Sequence, residues 1–171
     1  MQDVATRTLE TLDLLYSTAL GAEHWPRALD AISELIDGNG ALLFVRGAGP
    51  VELQISAAST RYLAADVEQY LSSLARDEEL RWVRVLDELP PRTIQGDADI
   101  WPDRRAYDAM PSVQFLRNLH LYHRVAVRPC AHGGWKDALT VLFDDRREGS
   151  DRIAQVRVLP ERVDQHAPVG A

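Results

Sequence analysis

The N-terminal part of the chain places apolar side chains at helical spacing and then, directly afterwards, at strand spacing. Over Val4–Leu20 an apolar residue returns every three or four positions, which predicts an amphipathic helix that ends before Gly21. A second helix is predicted from Trp25 to Ile36, because Pro26 suits the first helical turn and the same periodicity follows it. The first helix carries one apolar stripe, and the second should bury the face that carries Leu29, Ile32 and Leu35.

Two hairpin patterns follow, one on each side of a long middle segment. Ala41–Arg46 is apolar on both faces, as in a central strand, and Val51–Ser56 alternates apolar with polar residues. Leu121–Arg128 and Ala138–Phe143 predict a second strand pair around a Gly133-Gly134 turn. The pattern therefore predicts an α+β fold with a central antiparallel sheet flanked by helices.

The middle segment is predicted to be mainly helical. Ser59 or Thr60 should cap its first helix, which would bury Leu63. The other predicted elements are a helix over Glu78–Leu89, an acidic loop over Thr93–Trp101, a helix over Tyr107–Leu119 interrupted at Pro111, and a last helix that buries Ile153, Val156 and Leu159. We expect one domain over residues 1–160 and a flexible tail over residues 161–171.

Composition narrows the possible functions. The net charge is −7, and the bases form no stripe with interleaved aromatics, so we expect no direct contact with nucleic acid. Cys130 is the only cysteine, which excludes an internal disulfide. No apolar run approaches the roughly 18 residues of a membrane span, and the acidic start is unlike a signal peptide. We therefore expect a cytoplasmic protein that does not enter a membrane.

The histidines and acids of the chain do not form a recognisable reactive centre. His123 and the pair Cys130 and His132 should fall on opposite faces of a strand, so no metal site is predicted. Asp97 and its acidic neighbours lack the glycine and glutamate of a calcium loop and are expected to be solvated. The nucleophile elbow, phosphate-binding loop and zinc-protease motifs are absent from the sequence. We expect no enzyme activity and no cofactor.

Aromatic residues in the middle segment and the strand after it are the best candidates for a binding site. Such residues form flat apolar walls, and indole, phenol and imidazole groups add directional hydrogen bonds. Ordinary core packing explains the same residues equally well. The candidate ligand-binding residues are Trp82, Trp101, Tyr107, Phe115, Tyr122 and His123.

The segment LDLLYSTALGAEHWPRALDAISELIDGNGALLF resembles the start of the N-terminal sensory domains of LuxR-type bacterial transcription regulators, which are similar to the PAS and GAF ligand-sensing folds. FLRNLHLYHRVAVRP and GGWKDALTVLF look like the paired late strands of these domains, and RIAQVRVLP looks like their terminal helix. The resemblance implies a domain that senses an unknown small molecule and signals through its terminal helix or dimer interface. The apolar stripes of the first helix (Leu9, Leu12, Tyr16) and of the last helix (Ile153, Val156, Leu159) predict that these two helices form much of a homodimer contact.

The chain departs from this family in two ways. Autoinducer-binding members carry a Tyr…Asp-Pro pattern. Here Tyr70 and Asp77 match the first two residues, but Glu78 stands in place of the proline. No helix-turn-helix segment follows Pro160, so we expect a stand-alone sensory protein or part of a longer regulator, without DNA binding of its own. Two alternatives remain open, namely a protein-interaction module with a fully packed core and a small enzyme with an unrecognised site.

Overall fold

The computed structural model describes residues 3–46, 55–70, 76–129, 131–132 and 135–144. The helices are α1 (Val4–Ser17), a 3-10 turn (Ala22–His24), α2 (Trp25–Leu35), α3 (Ala64–Gln69), α4 (Arg76–Glu88), α5 (Asp97–Ile100), α6 (Arg104–Asp108) and α7 (Pro111–Asn118). The strands are β1 (Ala41–Arg46), β2 (Ile55–Ala58), β3 (Ile94–Gly96), β4 (His123–Val127), β5 (Ala131–His132) and β6 (Trp135–Phe143).

The strands form one antiparallel sheet in the order β2-β1-β6-β4-β3, and the short β5 pairs with β6. The central strand β6 pairs Thr140 with Leu42 of β1 and with Ala126 of β4. Both predicted hairpins therefore belong to one sheet, which confirms the predicted α+β class. The predicted residues 51–54 and the predicted last helix and tail lie outside the described residues.

Helices cover both faces of this sheet. On one face, which we call the α2 face, Leu29 packs with Leu43, Val125, Val141 and Phe143. Alternate residues of the same strands point to the opposite face, which we call the α4 face, because side chains alternate along a strand. There Trp82 and Leu86 of α4 pack with residues from α6, α7 and the sheet. The sheet is thus the middle layer of three.

Helix α1 packs mainly against α2. Thr11 is its buried residue, and the Arg7 guanidinium donates a hydrogen bond to the Glu34 carbonyl of α2. The opposite side of α1 is exposed and apolar. Val4, Leu9, Leu12 and Tyr16 on α1 and Leu20 just after it are each at least 42% exposed.

Two predictions for the middle segment are wrong. The predicted loop over Thr93–Trp101 contains β3 and α5, because its backbone pairs with β4 at the sheet edge. The first helix of the segment begins at Ala64, and Leu63 is 67% exposed. Ser59 does not cap that helix, since its hydroxyl accepts a hydrogen bond from the Ala41 N–H.

The turn before α3 is fixed to the α2 side of the molecule. Thr60 donates two hydrogen bonds to the Asp30 carboxylate, at 3.1 Å from its N–H and 2.6 Å from its hydroxyl. Arg61 binds the Glu34 carboxylate at 2.8 Å, and the Tyr62 hydroxyl donates to the Asn39 carbonyl at 3.0 Å.

Among the described helices, none is long and apolar enough to cross a membrane.

Candidate ligand-binding site

The α4 face of the sheet carries a large apolar cluster with a polar centre. Trp82 and Tyr107 are each only 1% exposed, and Leu42, Phe44, Ala126, Ala138 and Leu142 form the strand side of the cluster. Its aromatic residues come from separate elements. Trp82 is brought by α4, Tyr107 by α6 and Trp101 by the segment between α5 and α6.

The polar centre is a buried ion pair between Asp97 and Arg124. The Arg124 Nε lies 3.0 Å from the Asp97 Oδ1, and the Arg124 backbone N–H donates to Oδ2 at 2.7 Å. The Arg124 side chain is 6% exposed and the Asp97 side chain 3%. The pair forms because β3 and β4 are antiparallel neighbours with Gly96 opposite Val125. Buried charges require this kind of partner, since desolvating one alone is very unfavourable.

Aromatic side chains surround the pair. The Arg124 guanidinium donates to the Tyr70 hydroxyl at 3.1 Å and lies 4.5 Å from the centre of the Trp82 ring. Burial raises the pKa of Tyr107 above its ordinary value of 10.0, and the neighbouring Asp97, hydrogen-bonded to the phenol, raises it further. Tyr107 therefore stays protonated, and the centre is a connected network rather than an isolated pair.

Three of the aromatic candidates each have an arginine stacked on them. Besides Arg124 over Trp82, Arg81 lies 4.2 Å from the Trp101 ring centre, and Arg104 lies 4.7 Å from that of Tyr107. Such contacts occur about once per 70–80 residues in proteins. Three such contacts lie within one cluster, and two of the three arginines, Arg104 and Arg124, are also paired with carboxylates.

Two buried hydrogen-bond donors of the α4 face have no partner among the described residues. They are the Trp82 Nε1–H and the Thr140 hydroxyl, and Thr140 is 3% exposed. Thr140 lies on β6 between Ala138 and Leu142, both members of the apolar cluster. Buried donors are nearly always satisfied, so each of the two groups is unusual. They are not unique in the described part of the chain, because Ser112 and Arg128 also carry unpartnered buried donors.

An apolar cavity adjoins this network. It has a volume of about 30 Å³, and its walls include Tyr62, Val67, Tyr70, Phe115 and Leu142. This space is large enough for roughly one or two water molecules. Tyr70 belongs both to the cavity wall and, through its hydroxyl, to the Arg124 network. Cavity and polar centre are therefore contiguous.

The structure brings together four of the six candidate residues predicted from the sequence. Trp82, Trp101 and Tyr107 lie in the apolar cluster, and Phe115 packs against it. Phe115 also contacts Tyr70, with ring centres 5.8 Å apart. The remaining two, Tyr122 and His123, line a different groove together with Arg104 and Arg117. We call this second feature the arginine groove.

Sequence reasoning missed the residues at the polar centre. Asp97 was expected to be solvated but is buried, whereas Asp99 and Asp103 cap helices by accepting from the Gly96 and Ala106 N–H groups. A signal was present, because Arg124 interrupts an apolar strand and must find a counter-charge. Within the described ranges, no three His, Cys, Asp or Glu residues converge as metal ligands.

Comparison with known proteins gives structural matches only. No protein-family model matches the chain, and no curated protein does. The chain is similar to CepR2 of Burkholderia cenocepacia, described as an N-acylhomoserine lactone dependent LuxR family transcription factor. The TM-score is 0.67 and the identity 14%, over 95% of this chain and 91% of that one.

Two further structures are similar. The VqsR ligand-binding domain of Pseudomonas aeruginosa gives a TM-score of 0.63 at 13% identity, with 90% of each chain covered. SdiA in complex with octanoyl-rac-glycerol gives 0.57 at 16% identity, over 96% of this chain and 69% of that one. At such identities the similarity shows a shared fold. The PAS and GAF resemblance stays a prediction.

Proposed function

We propose that this chain is the sensory domain of a LuxR-type bacterial transcription regulator and that it binds a small amphiphilic molecule on the α4 face of its sheet. The observation that carries the proposal is an apolar cavity whose wall residue Tyr70 is hydrogen-bonded to Arg124 in the polar centre. The same face of the sheet also carries two unpartnered buried donors, Trp82 Nε1–H and Thr140 Oγ1–H. A ligand carbonyl or hydroxyl oxygen would satisfy them, and its apolar part would occupy the cavity.

The ligands named for the structural neighbours have this chemistry. CepR2 is described as dependent on N-acylhomoserine lactone, and SdiA was solved with octanoyl-rac-glycerol. Both molecules join an acyl chain to a polar head through a carbonyl group. In this chain the acyl part would lie against Val67, Phe115 and Leu142, and the head would lie toward Tyr70 and the Arg124 network.

Ligand entry requires the site to enlarge. The cavity of about 30 Å³ is far below the roughly 300–1,000 Å³ of ordinary small-molecule pockets. We infer that binding favours an expanded state, in which α3 and α7 move away from the sheet. A ligand shifts this equilibrium only by its difference in affinity for the two states.

We further propose that the domain is a homodimer formed through the apolar side of α1. Val4, Leu9, Leu12, Tyr16 and Leu20 make up all but one of the large exposed hydrophobic residues in the described part of the chain. Such a concentration is typical of an interface, and two-fold dimers are the commonest oligomers. A second copy would cover the stripe symmetrically, and the predicted terminal helix would carry the output.

The smallness of the cavity favours one competing function, a protein-interaction module with a packed core. We prefer the sensory function because the apolar cavity adjoins a buried polar centre at Tyr70, an arrangement that a fully packed apolar core does not require. We also propose that the domain has no catalytic activity, since the described acid–base groups at the site bind one another. A cytoplasmic location is proposed as well.

Native mass spectrometry of the protein purified from its host tests the sensory function directly. We expect a retained small molecule with an acyl chain, and we expect the dimer mass in the same spectrum. A dimer free of any small molecule, together with no thermal response to octanoyl-rac-glycerol or an N-acylhomoserine lactone, would support the interaction module instead.

A Thr140→Val variant separates a ligand contact from a packing role. Without ligand, we expect it to be at least as stable as the wild type, because the unpaired hydroxyl is removed at nearly constant volume. With ligand at about 100 times its Kd, the wild type should gain about 2.7 kcal/mol, and the variant should gain clearly less. Val141→Thr, the neighbouring substitution on the α2 face, is the control that should keep the full ligand response.

A further inference from the structure

The arginine groove is a second concave feature, separate from the apolar cavity. It has a volume of about 430 Å³ and is lined by Arg104, Arg117, Tyr122 and His123. None of these residues is among the described residues that line the cavity. The groove forms where the start of α6, the last turn of α7 and the start of β4 meet.

Two guanidinium groups converge at this groove. The Asp108 Oδ1 accepts a hydrogen bond from Arg117 NH2, and Arg104 NH2 lies 3.8 Å from the same oxygen atom. Both cations are therefore within reach of a single small anion. Arg104 is also held in place by its stacking on the Tyr107 ring.

The groove has more hydrogen-bond donors than Asp108 can satisfy. Each guanidinium carries five N–H donors and no acceptor, and the Arg117 Nε is buried without a partner among the described residues. One carboxylate balances only one of the two positive charges. The two guanidinium groups thus carry one positive charge more than the Asp108 carboxylate balances, although the whole chain has a net charge of −7.

We propose that the arginine groove binds an oxyanion, which is the carboxylate or phosphate group of a small molecule. Paired guanidinium groups match the two oxygens of such a group and form parallel charge-assisted hydrogen bonds. The phenol of Tyr122 and the imidazole of His123 line the same groove and add polar contacts. This site is independent of the ligand proposed for the α4 face.

Titration with inorganic phosphate, and separately with acetate, tests the proposal by isothermal calorimetry in sodium chloride of matched ionic strength. We expect at least one anion to bind the wild-type protein with a defined stoichiometry. Binding of phosphate alone assigns a phosphoryl group, and binding of acetate alone assigns a carboxylate. The absence of binding by both anions would overturn the proposal.

Substitutions with opposite expected effects locate the site. Arg104→Gln and Arg117→Gln should each weaken binding at least tenfold. Asp108→Asn should strengthen it several-fold, because the competing carboxylate is removed. Arg61→Gln is the matched control, since the Arg61 and Arg104 side chains are both 43% exposed and each contacts a carboxylate. If Arg61→Gln weakens binding as much as Arg104→Gln, the anion responds only to overall charge and the site is refuted.

Discussion

Removing one member of the Asp97–Arg124 pair should destabilise the domain far more than removing both. The side chains are 3% and 6% exposed, so a remaining partner would be a buried, uncompensated charge. Breaking such a pair costs about 3–5 kcal/mol. For a domain of this size, that loss lowers the Tm by roughly 6–20 °C.

The experiment is a double-mutant cycle with Asp97→Asn, Arg124→Met and the double variant, measured by urea unfolding at pH 7. Asp97→Asn leaves the guanidinium without its counter-charge, and Arg124→Met leaves the carboxylate without its cation. The double variant replaces the ion pair with two neutral groups. We expect it to be more stable than the sum of the single effects predicts, by at least about 2 kcal/mol.

The exposed pair Glu34–Arg61 provides the control cycle. Its side chains are 55% and 43% exposed, and such pairs contribute only about 0.2–1 kcal/mol. Additive effects at Asp97 and Arg124, or single losses as small as those of the control pair, would show that the buried network does not hold the α4 face together.

Three further predictions concern other parts of the molecule. Leu9→Glu and Tyr16→Glu should convert a dimer into a monomer in sedimentation velocity at tens of micromolar, and a monomeric wild type would refute the interface. Because burial raises the pKa values of Tyr62 and Tyr107 above 10.0, each of these two residues lowers the stability of the folded state above pH 10 by about 1.4 kcal/mol per pH unit; the tyrosinate absorbance of these two residues should therefore appear together with unfolding. Gly40→Ala should cost roughly 1–3 kcal/mol in thermal melts, since Gly40 has a φ of 119° and an added Cβ would lie 2.6 Å from the Tyr62 hydroxyl oxygen. Gly21→Ala should be nearly neutral, because its added Cβ meets only the movable, exposed Glu23 carboxylate.

Elements with a strong local periodicity could be predicted from the sequence. Helix α2 has the predicted Trp25-Pro26 start, and β1 has the predicted bounds Ala41–Arg46. The break at Pro111 is also confirmed, because it separates α6 from α7. In each case the information lies within a few neighbouring residues.

Elements that depend on distant partners could not be predicted in this way. Strand β3 has only three residues and exists because β4, far along the chain, pairs with it. The burial of Asp97 depends on the same pairing, since its partner Arg124 is 27 positions away. Leu63 was assigned to a buried helix face, but the turn hydrogen bonds of Thr60 delay the start of α3 and leave Leu63 exposed.

The turn before α3 joins two parts of the molecule that the sheet otherwise separates. Tyr62 lines the apolar cavity, while the two residues before it, Thr60 and Arg61, are bound to Asp30 and Glu34 of α2. A ligand that pushes Tyr62 outward must therefore break these bonds or draw α2 with it. Since α1 packs on α2, expansion of the cavity would also displace the exposed apolar side of α1. The turn before α3 would thus couple the volume of the ligand to the geometry of the dimer.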